Sequence, residues 1–191
     1  MSTFPPLFKP NFYHEYSVVL SHPIDEVFTI LGTDAGHERT CRLSGLCTKL
    51  ELFEKDTVEL PVSLPLADVH VRTAPGATSS HPSPQPTRTL PRQSFRLTES
   101  VPVAFGWHTD VCPTGTFTWD EEGKVALYET LTDGGVHVWK LREFEEAGEG
   151  KTRVKERIEG ACPWILKSIV QRETKKSHAA HMELYHTLFQ S

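Results

Sequence analysis

The sequence has no long apolar run, no export signal, no basic tract and few cysteines, and each lack removes a class of protein. No stretch approaches the roughly 20 apolar residues that a bilayer-spanning helix requires. The opening Met1-Ser2-Thr3-Phe4-Pro5-Pro6 lacks the charged and apolar regions of a signal peptide and has no glycine at position 2 for myristoylation. Lys and Arg number 20 against 25 Asp and Glu, a net charge of −5, and the two signs are interspersed; no nucleic-acid-binding face is expected. Cys41, Cys47, Cys112 and Cys162 match neither a zinc ribbon nor a Cys-x-x-Cys motif, so reduced thiols and a cytoplasmic location are expected. No Gly-x-Ser-x-Gly elbow and no His-Glu-x-x-His pair is present.

What is present fills one domain. The 191 residues suffice for a sizeable core. A single domain over 1–191 is expected, with residues 1–11 as a Pro-rich arm. Phe12 to Leu20 alternates as a strand, and Ser21-His22-Pro23 then opens a short helix that buries Ile24, Val27, Phe28 and Leu31 before Gly32. Residues 33–43 give no clear assignment. Strand-like runs follow at 46–53, 57–60 and 66–72. Residues 73–92 hold five prolines among Ser, Thr, Gly and Ala and read as a mobile insertion, slack or acting as a lid. Further strands fall at 94–101, 103–111, 114–119, 125–131, 136–144 and 152–159, separated by turn residues that make the sheet antiparallel.

The last forty residues carry the most information. Pro163 is tolerated at a helix start because its missing N–H would be unpaired there. From it a pattern free of Gly and Pro runs to Phe189, about 40 Å if wholly α-helical. The predicted inward stripe is Leu166, Ile169, Val170, Ala180, Leu184 and Leu188. Glu173, Ser177 and His181 lie on or beside it, within about 80° of one another. Polar groups in mid-stripe predict that the helix roofs a cavity instead of sealing a solid core, with Val170 and Leu184 among its apolar lining. A curved antiparallel sheet wrapped around this helix, an α+β architecture, buries the stripe.

The strands supply counterparts. Glu129 alternates with Val125, Leu127 and Leu131; Glu156 sits between Val154 and Ile158; His137 alternates with Trp139 and Leu141; His108 follows Trp107 and shares a face with Asp110. The candidate ligand-binding set is Ser177, Glu173, His181, Val170, Leu184, Trp107, Trp139, His137 and Glu156. The candidate catalytic groups are Glu173, His181, His108 and Glu129, because a buried carboxylate or imidazole suits proton transfer. His178, His181 and His186 invite a metal reading, but their spacing gives no inward pair of Glu-x-x-His motifs, and no metal is expected.

Two motifs point to a family. The opening strand with Ser21-His22-Pro23-Ile24-Asp25-Glu26-Val27-Phe28 is similar to the first strand and Pro-x-x-x-Val-Phe helix of the START-like, Bet v 1-like (SRPBCC) helix-grip superfamily. The closing Thr152-to-Gly160 strand, Cys162-Pro163-Trp164-Ile165-Leu166 and the long helix resemble its last elements. The resemblance covers about 12–189 and is similar to a fungal-type branch; the insertion at 73–92 departs from the compact form. It implies a helix-grip fold and a pocket for a lipid, sterol, polyketide or terpenoid, with no cofactor. Iron-dependent oxygenase members are set aside because the Rieske spacing is absent, and the plant-allergen branch because its Gly-rich loop is absent. Three functions follow as expectations: a carrier of a hydrophobic small molecule, transient membrane contact included; a cyclase, dehydratase or isomerase of secondary metabolism; and a co-chaperone-like interaction module.

Overall fold

Phe12–Leu20 forms strand β1, its even-numbered residues turned inward, and Pro23 leads into helix α1 (Ile24–Gly32). Asp25 and Glu26 stand in the first turn of α1, where unpaired amides favour negative charge, and Val27, Phe28 and Leu31 are buried. This computed structural model describes residues 6–77, 86–102 and 107–190. The unassigned stretch after Gly32 contains helix α2 (His37–Arg42). Strands β2 (Cys47–Pro61), β3 (Thr87–Pro102), β4 (His108–Val111), β5 (Thr114–Asp120), β6 (Val125–Leu131), β7 (His137–Glu146) and β8 (Thr152–Ala161) complete an antiparallel sheet. Its order is β1-β8-β7-β6-β5-β3-β2, with β4 paired to β3 outside this path. The last segment is a 3₁₀ turn (Trp164–Leu166), helix α3 (Lys167–Glu183) and a second 3₁₀ turn (Tyr185–Phe189). The architecture is the expected α+β grip.

Several boundaries differ from expectation. The runs at 46–53 and 57–60 are one strand, bulged between Leu52 and Lys55. Residues 87–92, assigned to the insertion, begin β3, with Leu90 and Arg92 buried. Residues 78–85, the centre of the insertion, and 103–106, the start of the expected strand 103–111, lie outside the described residues. The helix expected from Pro163 to Phe189 is α-helical only from Lys167 to Glu183.

The largest departure is Leu66–Arg72. It is not a strand but part of a strap that crosses the outer face of the sheet, with one 3₁₀ turn at Leu66–Asp68. Leu66, Val69 and Val71 of the strap pack on Val58, Leu60, Leu90, Leu127, Trp139 and Leu141, a second core behind the sheet. Phe8 of the N-terminal arm packs there too, its ring 5.2 Å from those of His70 and His137. The strap has no ladder partner, so side chains satisfy its backbone groups. Glu129 Oε2 accepts the amides of Val71 at 2.8 Å and Arg72 at 2.7 Å, and Oε1 lies 2.9 Å from His70 Nδ1. Trp139 Nε1 donates to the Val69 carbonyl, and Arg92 Nη1 to those of Val71 and Ala74. Asp56 in turn holds the Arg92 guanidinium through two hydrogen bonds.

Glu129 is 3% exposed, and its removal leaves the buried amide of Val71 and the part-buried amide of Arg72 without acceptors. Glu129→Ala is expected to lower the unfolding free energy by about 2–4 kcal/mol. Denaturant titration measures the loss, and limited proteolysis is expected to cut between residues 62 and 77 in the variant before the wild type.

Candidate functional site

The inner face of the sheet is built by parity. Along β7 the inward residues are Val138, Lys140, Arg142 and Phe144; along β8 they are Val154, Glu156 and Ile158. The register sets Arg142 directly opposite Glu156. Glu156 is fully buried, and four groups answer its charge. Oε1 accepts from Arg142 Nε and from the Tyr185 hydroxyl, each at 2.5 Å; Oε2 lies 2.7 Å from His178 Nε2 and 3.5 Å from Lys140 Nζ. Arg142 also donates to the Tyr185 oxygen at 2.6 Å and to the carbonyl of Leu31. Burial, the largest single effect, pushes the Glu156 carboxyl upward, but Arg142, Lys140 and the His178 hydrogen bond together hold it well below the usual range. This cluster fastens α1, the end of the chain and the sheet at one point.

Beside the cluster the interior is hollow. A cavity of about 220 Å³ lies among α2, β3, β6, β7 and α3, lined by Cys41, Glu99, Tyr128, Lys140, His178 and His181 with Leu97, Val138 and Ile158 as apolar wall. Ser177 and His181 also line an adjoining vestibule of about 350 Å³, with Leu43, Pro102, Glu173 and Leu184. The helix therefore roofs a cavity.

The lining groups are tuned by burial. Desolvation raises the Glu99 carboxyl, partly offset by the charge of Lys140. The Lys140 ammonium is 4.8 Å from the centroid of the Tyr128 ring. His181 Nε2 lies 2.7 Å from the Thr40 carbonyl, which can only accept, so Nε2 carries the proton and Nδ1 is left as an acceptor. Burial first, then Lys140, lowers His181 to about 4, so it is neutral at pH 7. Deeper, the Tyr128 hydroxyl lies between Cys41 Sγ at 2.8 Å and His37 Nε2. Burial raises the Cys41 thiol to about 11 and lowers His37 to about 3, so neither is charged at neutral pH.

Of the residues proposed from sequence, Ser177 and His181 line both spaces, and Glu173 and Leu184 line the vestibule alone. Val170 packs on Phe12, Ile158 and Cys162. Glu156 lies in the interior but is spent on its partners. Glu129, Trp139 and His137 have the opposite parity and face the outer strap, so they are away from the cavity. His108 is exposed on β4, and Trp107 is 73% exposed. The predicted stripe is also turned: Leu166, Ile169, Ala180 and Leu184 are exposed and Leu188 alone of its members is fully buried, whereas His178, Met182 and Tyr185, outside the stripe, are buried. The three histidines of the last segment diverge, to Glu156, to the Thr40 carbonyl and to the carbonyl of Glu183. Glu99 and Lys140 were missed. Their signal was parity: Glu99 alternates with Phe95 and Leu97, and Lys140 with Val138.

No family model and no curated protein matches this chain. Solved structures do. A protein from Thermus thermophilus aligns with TM-score 0.59 at 14% identity over 94% of this chain and 99% of its own. Norcoclaurine synthase from Thalictrum flavum aligns with TM-score 0.57 at 14% identity, over 94% and 93%. The Zhui aromatase/cyclase from Streptomyces aligns with TM-score 0.56 at 14% identity, over 94% and 96%. The chain has the START-like, Bet v 1-like helix-grip fold.

Two measurements probe this interior. Glu156→Ala strands Arg142 in the core and is expected to cost about 3–5 kcal/mol of stability, read by denaturant titration. The second concerns acid. His37 and His181 titrate in the native state near 3 and 4, below the ordinary histidine value of 6.5. Between those limits the unfolded chain binds protons that the native state refuses, so their contribution is complete above pH 6.5 and lost as pH falls toward 3. Thermal midpoints are expected to drop across that window, and less steeply in His37→Asn.

Proposed function

We propose that the cavity is an acid–base site for a compact, largely apolar molecule bearing a carbonyl group, about the size of one or two fused rings. The observation that carries this reading is the convergence of Glu99, Lys140 and His181 on one cavity whose other wall is apolar. Glu99 is suited to proton transfer because burial moves its carboxyl toward neutral pH. The Lys140 ammonium, held by Glu156 behind it, suits an oxygen on which negative charge develops. His181 Nδ1 suits a hydroxyl donor on the ligand.

The chemistry balances with these groups alone. Ionised Glu99 removes a proton α to the carbonyl; the C–H pair becomes an enolate whose oxygen rests against Lys140. The enolate carbon then attacks a second carbonyl of the same molecule, closing a ring, and protonated Glu99 returns its proton to the new alkoxide. This course is that of an aldol-type cyclase. The fold neighbours named as an aromatase/cyclase and a norcoclaurine synthase support the reading, and one structure of the latter holds dopamine and hydroxybenzaldehyde, single-ring compounds. The inner space of about 220 Å³ fits one or two rings, and a sterol or long lipid would have to extend into the vestibule.

Exchange of the α-protons of 2-tetralone in deuterated buffer, followed by NMR, tests the proposal. The wild type is expected to accelerate exchange, and Glu99→Gln to lose about 10²–10⁴-fold while still binding the ketone. Lys140→Met is expected to lose about 10²–10³-fold. Binding with no exchange above buffer would make the protein a carrier instead.

A further inference from the structure

The strand register brings one end of the sheet together. Cys47 pairs with Glu99, Glu99 with Val111, Thr114 with Leu131, Leu131 with His137, His137 with Ala161, and Gly160 with Phe12. The cavity lies at this end, walled by Leu97, Glu99, Thr130, Val138 and Ile158. The chain leaves β8 here and enters the 3₁₀ turn at Trp164. Trp164 is 85% exposed, Ile165 70%, Ile169 40% and Leu166 37%. Trp107, at the foot of β4 on the same end, is 73% exposed.

Five large apolar side chains around one cavity end are more than scattered surface hydrophobes. The charge of the same segment is distinctive. Residues 163–176 carry Lys167, Arg172, Lys175 and Lys176 against the single Glu173, in a chain of net charge −5. Lys167, Lys175 and Lys176 are exposed, while Arg172 is paired to Glu173 at 2.9 Å. Tryptophan beside aliphatic residues, with lysines a turn or two away, fits the boundary between headgroups and acyl chains. Acidic headgroups complement the lysines.

We propose that Trp107 and the Trp164–Lys176 segment dock on an anionic lipid surface, setting the cavity end of the sheet against the membrane. Trp164, Ile165 and Trp107 enter the headgroup boundary, and Lys167, Lys175 and Lys176 meet acidic headgroups. Apolar ligands concentrated in the bilayer then reach the cavity without crossing bulk water. This surface stands apart from Glu99 and Lys140, so it is independent of the chemistry assigned to them.

Co-sedimentation of the full chain with phosphatidylcholine vesicles, with and without phosphatidylserine, tests it. The wild type is expected to sediment with the serine-containing vesicles, release at high salt and show blue-shifted tryptophan fluorescence. Trp164→Ala with Ile165→Ser is expected to weaken partitioning at least about tenfold. Lys167→Gln, Lys175→Gln and Lys176→Gln together are expected to weaken it about a hundredfold, at a factor of about five for each basic residue near an acidic leaflet. All of these positions are exposed, and circular dichroism checks that the variants fold. A wild type that stays in solution with both vesicles overturns the proposal, as does equal sedimentation of the patch variants. A wild-type dimer that Trp164→Ala with Ile165→Ser converts to a monomer, without vesicle binding, assigns the patch to a second copy and overturns it as well.

Discussion

The structure depends on a carboxylate that no water reaches. Glu156, on β8, is held by Arg142 and Lys140 of β7 and by His178 and Tyr185 of the last segment of the chain. Each of these groups would be costly alone in an apolar interior, and together they compensate one another. The cluster fixes how far α3 stands from the sheet. On one side of it Phe28, Phe117, Trp119, Phe144 and Met182 pack as a solid core. On the other side the helix is held off and the cavity remains. Closing that gap would require Lys140 and Glu99 to pack against apolar neighbours, where their charge would be desolvated without a partner.

The same sheet is buried on its outer face as well. A single sheet gripped by a helix would leave that face to solvent. Here the strap and Phe8 cover it, and Glu129, Trp139 and Arg92 tie the strap down through its backbone. Both faces of β6 and β7 therefore read as buried. Each strand alternates between residues that serve the cavity and residues that serve the strap, one register step apart.

That double burial explains what the sequence could and could not reveal. Strand alternation and the Pro163 start expressed local physics, and the grip topology followed from them. Face assignment did not, because Glu129 between apolar neighbours looks the same whether it faces a cavity or a strap. The helix was harder still. A stripe chosen by hydrophobicity selected Leu166, Ile169 and Leu184, yet the residues turned inward include His178 and Tyr185, since their partner is a carboxylate and not a core of leucines. Glu99 and Lys140 stood in plain alternation with Leu97 and Val138. Their significance emerged only when the antiparallel register brought β3 and β7 around one hollow.

In the function proposed above, a structural charge is coupled to a functional one. Lys140 touches Glu156 behind and the cavity in front, so the cluster that holds the helix also positions a cation on the cavity wall. Glu99 completes the pair, its carboxyl raised by burial and moderated by Lys140. The most direct test is the titration of the Glu99 carboxyl by ¹³C NMR, with and without 2-naphthol as an enolate analogue. A midpoint above the ordinary glutamate range that moves when 2-naphthol binds is the predicted result. An ordinary glutamate titration, unchanged by a saturating concentration of 2-naphthol, would contradict a ligand seated between Glu99 and Lys140.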